Sequence, residues 1–148
     1  MRPVFQEIID SGKGDCFSAC LASLLELPLE QVPKFRRDNP EPGEMMKAAR
    51  FWLAENFALS IVTIQMEPEE IESGADIRII GANPNTPCIA GGASPNLDNC
   101  QHAVVGFLNE ADEFQMTHDP NPSSKGIIGR PKHLYFLVAL APEKLNKK

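Results

Sequence analysis

The apolar positions of the chain change period about halfway along it. Between 16 and 27, Phe17, Cys20, Leu21, Leu24 and Leu25 recur every three or four residues, which puts them on one face of an α-helix. Gly14 permits a turn ahead of this helix, and Asp15 is a favoured N-cap whose carboxylate can accept first-turn N–H groups. Glu26 ends the polar face and Pro28 stops the helix. Residues 28–33 read as a short helical turn between prolines. Residues 34–43 are polar and proline-broken, hence a loop, with Arg36, Arg37, Asp38 and Asn39 at a solvated tip. A second amphipathic helix follows over 44–57, with Met45, Ala48, Ala49, Trp52, Leu53 and Phe57 as its apolar stripe. Its tryptophan and methionines read as core rather than as a cofactor box.

Beyond this point the period falls to two. Residues 59–65 are rich in β-branched side chains and predict a strand. Residues 68–73 read as a short acidic helix, and 77–81 and 88–90 as short strands joined by a turn-rich link. Residues 91–99 are an exposed loop by composition. The strongest strand is 102–108. A hairpin-like turn at 109–112 joins it to an alternating stretch, 113–118. A loop at 119–126, a last strand at 134–140 and a charged tail complete the chain. At the other end, residues 3–9 look extended and close in a turn at 10–14. Helices first and antiparallel strands second predict an α+β fold, with the helices on one side of an antiparallel sheet.

Composition narrows the possible roles. The 148 residues fit a single domain spanning 1–148, and a 43% apolar content is enough for a core. Fourteen basic against 20 acidic side chains give a net charge of −6, which argues against nucleic acid as the main partner. No apolar run reaches membrane-spanning length, and the first residues lack the apolar region of a secretory signal. The expectation is a cytoplasmic protein, not bound to a membrane, whose four cysteines are reduced thiols. Cys16 and Cys20 share one helix, which is poor disulfide geometry. No internal repeat or low-complexity segment occurs.

Cys16 is the candidate nucleophile. It falls at the first turn of its helix, where unpaired N–H groups and the helix dipole favour a thiolate. A thiol of this kind needs a base and a group to orient that base. Of the three histidines, His133 has no polar partner nearby in sequence, which leaves His102 and His118. His102 opens the best strand, and Asp119 follows the strand paired with it. In an antiparallel hairpin those two positions are neighbours, so His102 and Asp119 should meet at one end of the sheet. Asn121 is a weaker alternative to Asp119. Gln6 is either a surface residue or a side-chain donor to an oxyanion. A structural zinc site drawn from Cys16, Cys20, Cys88, Cys100 and His102 is the rival reading. It is disfavoured because no Cys-x-x-Cys occurs and Cys20 faces the core. No cofactor or metal is expected.

These residues resemble a known group. Gly14-Asp15-Cys16, then Ala19-Cys20-Leu21-Ala22-Ser23-Leu24-Leu25, Leu27-Pro28 and Val32-Pro33, are similar to the nucleophile segment of papain-like cysteine peptidases. The nearest type is the bacteriocin-processing peptidase-like branch, with its small bacterial and phage relatives. Gln101-His102-Ala103-Val104-Val105-Gly106 is similar to the histidine strand of that branch, and His118-Asp119-Pro120-Asn121-Pro122 to its Asp-Pro segment. The resemblance covers 14–33 and 101–122 and implies a papain-like fold. It also implies thiol acyl chemistry on a peptide, isopeptide or amide bond. By the same resemblance Cys16 is the nucleophile, His102 the base and then the acid, Asp119 the orienting residue, and the Cys16 N–H an oxyanion donor. Gln6 lies farther ahead of Cys16 than the oxyanion glutamine of the family does. The expected function is a cysteine peptidase or amidase acting on a peptide or protein. The alternatives are a non-catalytic papain-fold module that binds a phage or accessory protein, and a transamidase using the same three residues.

Overall fold

A computed structural model describes residues 1–9, 14–41, 43–65, 85–97, 100–111 and 113–140. The elements expected at 68–73 and 77–81, most of the turn at 10–14, and the charged tail lie outside the described residues.

Helix α1 (Cys16–Leu25) buries Ala19, Cys20, Leu21 and Ala22 completely. It ends ahead of Pro28: Glu26 takes a left-handed conformation (φ 56°), and its N–H returns to the carbonyls of Ala22 and Ser23. A short 3₁₀ turn, Leu29–Gln31, occupies the segment between the prolines. Helix α2 (Phe35–Asp38) then stands where the polar composition predicts loop. Phe35 is the cause. It is buried in the core edge-to-face against Trp52 (5.7 Å), and Asn39 closes the turn through its N–H and Nδ2 on the Phe35 carbonyl. One buried aromatic outweighs the charges and prolines around it. Helix α3 (Glu44–Phe57) buries Ala49 and Leu53, with Trp52 held between Phe35 and Phe57.

Five strands follow: β1 (Leu59–Gln65), β2 (Pro87–Ala93), β3 (Gln101–Leu108), β4 (Phe114–His118) and β5 (Ile128–Ala139). They form one sheet in the order β1-β5-β2-β3-β4, with every neighbouring pair antiparallel. The helices lie on one face, where Phe17, Leu21, Phe35 and Leu53 pack with Ile61, Ile89, Ala103 and Val105. A second cluster, Cys88, Ala90, Val104, Leu108, Leu134 and Phe136, occupies the other face. The fold is therefore α+β, with helices on one side of an antiparallel sheet.

Two strands are longer than their composition predicts. β2 continues through Gly91 and Gly92, which read as loop. A Cβ at Gly92 would crowd Ile127, 3.0 Å from its Cδ1, whereas one at Gly91 would make only ordinary contact with the Tyr135 ring at 3.4 Å. β5 begins at Ile128 and includes His133, well before the 134–140 run. Pro131 and Gly129 hide its alternation. Pro131 is tolerated because it falls at the register shift opposite Gly91–Ala93, where no ladder bond is required of it.

Gly106 shapes the hairpin that carries the site. A Cβ there would collide with the Gln115 carbonyl and the Phe114 ring. The β3–β4 ladder shifts register between Val105 and Gly106, so that His118 pairs with Val105. This shift brings Asp119, the residue after β4, over the start of β3.

Candidate active site

The site lies where the N-terminus of α1 meets the end of the sheet that carries the start of β3. Cys16 is the first residue of α1 and is partly buried. The backbone N–H groups of Ala103, which follows His102, of Phe17 and of Cys16 itself favour the ionised form of its thiol. Asp15 does not cap the helix as its position predicts. Its carboxylate turns away and accepts the N–H of Glu7 (3.1 Å), the N–H of Ile8 (2.8 Å) and Lys34 Nζ (2.8 Å). Three donors, one of them a cation, satisfy a carboxylate that is 1% exposed better than one N-cap bond could. The first-turn N–H groups of Cys16 and Phe17 are thereby left to the sulfur.

The charge state of Cys16 differs from the sequence expectation of a thiolate. Burial pushes the thiol up to about 11, and the charge on Asp15 adds to the rise. The three backbone N–H groups oppose the rise without cancelling it. At neutral pH the resting side chain is the thiol. Removing its proton requires a base at the moment of attack.

His102 and Asp119 come together. His102 Nε2 is 2.6 Å from Asp119 Oδ1, and both residues are buried. Asp119 is fixed on its other sides as well: Oδ1 accepts the Asn121 N–H (2.9 Å) and Oδ2 the Gly126 N–H (2.7 Å). A carboxylate so occupied takes the imidazole as donor. Nε2 then carries the ring proton and Nδ1 is left as acceptor. Asn121, the weaker alternative, is spent on the turn, its Oδ1 accepting the Ser123 N–H.

The remaining candidates fall around this centre. His118 Nε2 donates to the Val4 carbonyl (2.7 Å) and its ring meets Phe5 edge-to-face, so it pins the N-terminal segment. Gln6 is buried, not at the surface. Its Nε2 donates to the Ile8 carbonyl (2.7 Å), its backbone N–H bonds to the Pro120 carbonyl (2.9 Å), and Oε1 has no partner. The Ile8 carbonyl also takes the Asp15 N–H (3.4 Å), so the Gln6 amide stands one hydrogen bond from the residue that precedes Cys16. Cys20 is fully buried, and its thiol is raised by burial and by the nearby Cys16 and Asp119. None of the four cysteines is in a disulfide, and among the described residues no group of three or more potential metal ligands assembles.

Tyr135 and Lys34 have no place in the sequence reading. Tyr135 meets Phe17 edge-to-face (5.4 Å) and stacks on His133 (6.0 Å). Burial raises its hydroxyl, and the neighbouring Cys16 adds to the rise. It was readable only as a member of the last strand. Lys34 follows Val32-Pro33 in a stretch with no periodicity, and nothing in the sequence links it to Asp15. No helix among the described residues is long and apolar enough to cross a membrane. No protein-family model and no curated protein matches this chain.

Proposed function

We propose that the protein is a papain-like thiol hydrolase, a cysteine peptidase or amidase, working through Cys16, His102 and Asp119. The observation that carries this reading is the buried 2.6 Å His102–Asp119 contact, with the backbone of the next residue, Ala103, bearing on the Cys16 thiol. The layout of helices on one face of an antiparallel sheet is compatible with the papain-like fold.

In this mechanism His102 Nδ1 takes the thiol proton as the sulfur attacks the substrate carbonyl carbon. The carbonyl electron pair moves to oxygen, which the N–H groups at the start of α1 receive. Collapse breaks the C–N bond, and the leaving amine takes the proton from His102. A thioester remains. Water then attacks it, giving a proton to His102, and the C–S bond breaks to release the acid and restore the thiol. Asp119 holds the imidazole in the required tautomer throughout. With an amine in place of water the same steps give transamidation.

The test is mass spectrometry of the protein incubated with a mixed pool of peptide p-nitroanilides. The expected result is release of p-nitroaniline together with an acyl adduct on Cys16, both lost in Cys16→Ala. Ammonia release from primary-amide substrates, with and without added amine, separates hydrolysis from transfer. Absence of adduct and of release across the pool would count against the reading. It would favour a non-catalytic binding module of the same fold, a second reading to which the neutral Cys16 thiol lends support. That module would keep its binding in Cys16→Ser.

A further inference from the structure

The residue that precedes the nucleophile is a buried carboxylate, an unfavourable neighbour for a thiol that must lose its proton. Asp15 is 1% exposed, and its charge bears on Cys16 in the direction that opposes ionisation. Its three hydrogen bonds account for its presence. Two go to the N–H groups of Glu7 and Ile8. The segment they hold is also bonded through Gln6 N–H to the Pro120 carbonyl, next to Asp119. Residues 6–8 thus form a strap from the nucleophile helix to the turn that carries the acid. The third bond, from Lys34 Nζ at 2.8 Å, brings a full positive charge to the same carboxylate, and Lys34 itself is only 15% exposed.

We infer that Asp15 and Lys34 are a positioning pair for Cys16: Asp15 ties residues 6–8 across the N-terminus of α1, and Lys34 neutralises the charge that this tie sets beside the thiol. The inference rests on Cys16 being the reactive thiol of the proposed hydrolase, but it concerns the side chain's reactivity and not turnover. Without Lys34 the carboxylate would act on the sulfur unopposed. Without the carboxylate, Lys34 would favour the thiolate. Among the described residues, the other ionisable groups coupled to the Cys16 sulfur are Cys20 on α1 and Tyr135 on β5. Neither of these two is cationic, and Lys34 is the cation that the carboxylate holds.

The experiment is the rate of Cys16 alkylation by iodoacetamide, read by peptide mapping between pH 6 and pH 10. Lys34→Met is expected to slow alkylation about tenfold, the equivalent of about one pKa unit. Lys34→Arg should stay within about threefold of wild type, and Asp15→Asn with Lys34→Met should restore the rate. Asp15→Asn alone should alkylate several-fold faster than wild type. Far-UV and near-UV circular dichroism identify the folded variants. Should Lys34→Met not fold, the acceleration in Asp15→Asn decides the matter. A wild-type rate in folded Lys34→Met, no restoration in the double variant, or an unchanged rate in Asp15→Asn would each overturn the inference. Alkylation needs no substrate. A chain inert towards every peptide but showing this coupling would refute the hydrolase and leave the pair standing; turnover with no coupling would do the reverse.

Discussion

Asp15 and Asp119 are built alike and serve different ends. Each is a buried carboxylate that accepts two backbone N–H groups and one side-chain donor. For Asp15 these are Glu7, Ile8 and Lys34; for Asp119 they are Asn121, Gly126 and His102. Each also bears on one cysteine of α1: Asp15 raises Cys16 and Asp119 raises Cys20. The difference lies in the third partner. An ammonium keeps its charge at every working pH, so Asp15–Lys34 is a fixed tie. An imidazole can give and take a proton near neutrality, so Asp119–His102 can be used. The pair built on Asp15, the residue before Cys16, is the structural one. The pair built on His102 and Asp119, far along the chain from Cys16, is the one suited to proton transfer.

The largest expected effect breaks the titratable pair. His102→Ala removes the proposed base and should lower turnover on any substrate found by about 10³-fold, the usual scale of general-base loss. Asp119→Asn should come close to it, because the amide would favour the wrong tautomer. Neither should slow alkylation in strongly alkaline solution, where hydroxide replaces the base. Equal turnover in wild type and His102→Ala, measured on the same p-nitroanilide, would remove His102 from the chemistry.

The fixed pair should show its worth in stability instead. Lys34→Met leaves the Asp15 charge buried with only N–H partners, a loss of about 3 kcal/mol. For a chain of this length that is a fall in Tm of about 10 °C, read by calorimetry. Adding Asp15→Asn should recover much of it, since the amide oxygen still accepts an N–H while the unpaired charge is gone.

How much of this was legible in the sequence follows the same division. The meeting of His102 and Asp119 comes from strand alternation and hairpin geometry, both local and periodic, and the hairpin was readable from 102 to 118. The same periodicity gave α3 and β1 their observed bounds. Asp15 misled because its position satisfies the N-cap rule, while the donors that take its carboxylate come from segments eight residues before and nineteen residues after it. α2 was missed because a four-residue helix has no period to read, and a single buried phenylalanine decides it. Gly91 and Gly92 read as loop signals because sequence does not tell a glycine inside a packed strand from one needed for a turn.

Alkaline titration sharpens the comparison at the thiols. The buried thiols of Cys16 and Cys88 are raised from 9.0 to about 11 and about 12. The folded chain therefore keeps these protons at a pH where the unfolded chain has lost them. The stability they contribute is complete below about pH 9 and is lost as pH rises through the folded values. Each such thiol makes stability fall by about 1.4 kcal/mol per pH unit in that window. Urea unfolding from pH 8 to pH 11 should show the decline, and Cys88→Ala should make it shallower after its own cavity cost is subtracted. A flat profile in wild type would mean that the thiols are not protected in the folded state.

The smallest effect lies just ahead of the strap, where His118 holds residues 4 and 5. Its Nε2 donates to the Val4 carbonyl, and its ring meets Phe5 at 5.0 Å. His118→Gln keeps a donor of similar reach but loses the aromatic contact, for a cost of about 1 kcal/mol. Turnover should fall less than threefold, in contrast with the loss in His102→Ala. The two histidines face different partners: a neutral backbone carbonyl accepts from His118, whereas a carboxylate accepts from His102 and would stabilise an imidazolium there. A fall of two orders of magnitude in folded His118→Gln would show that the anchoring of residue 4 controls the chemistry. The strap would then be as much a part of the working site as the pair it connects.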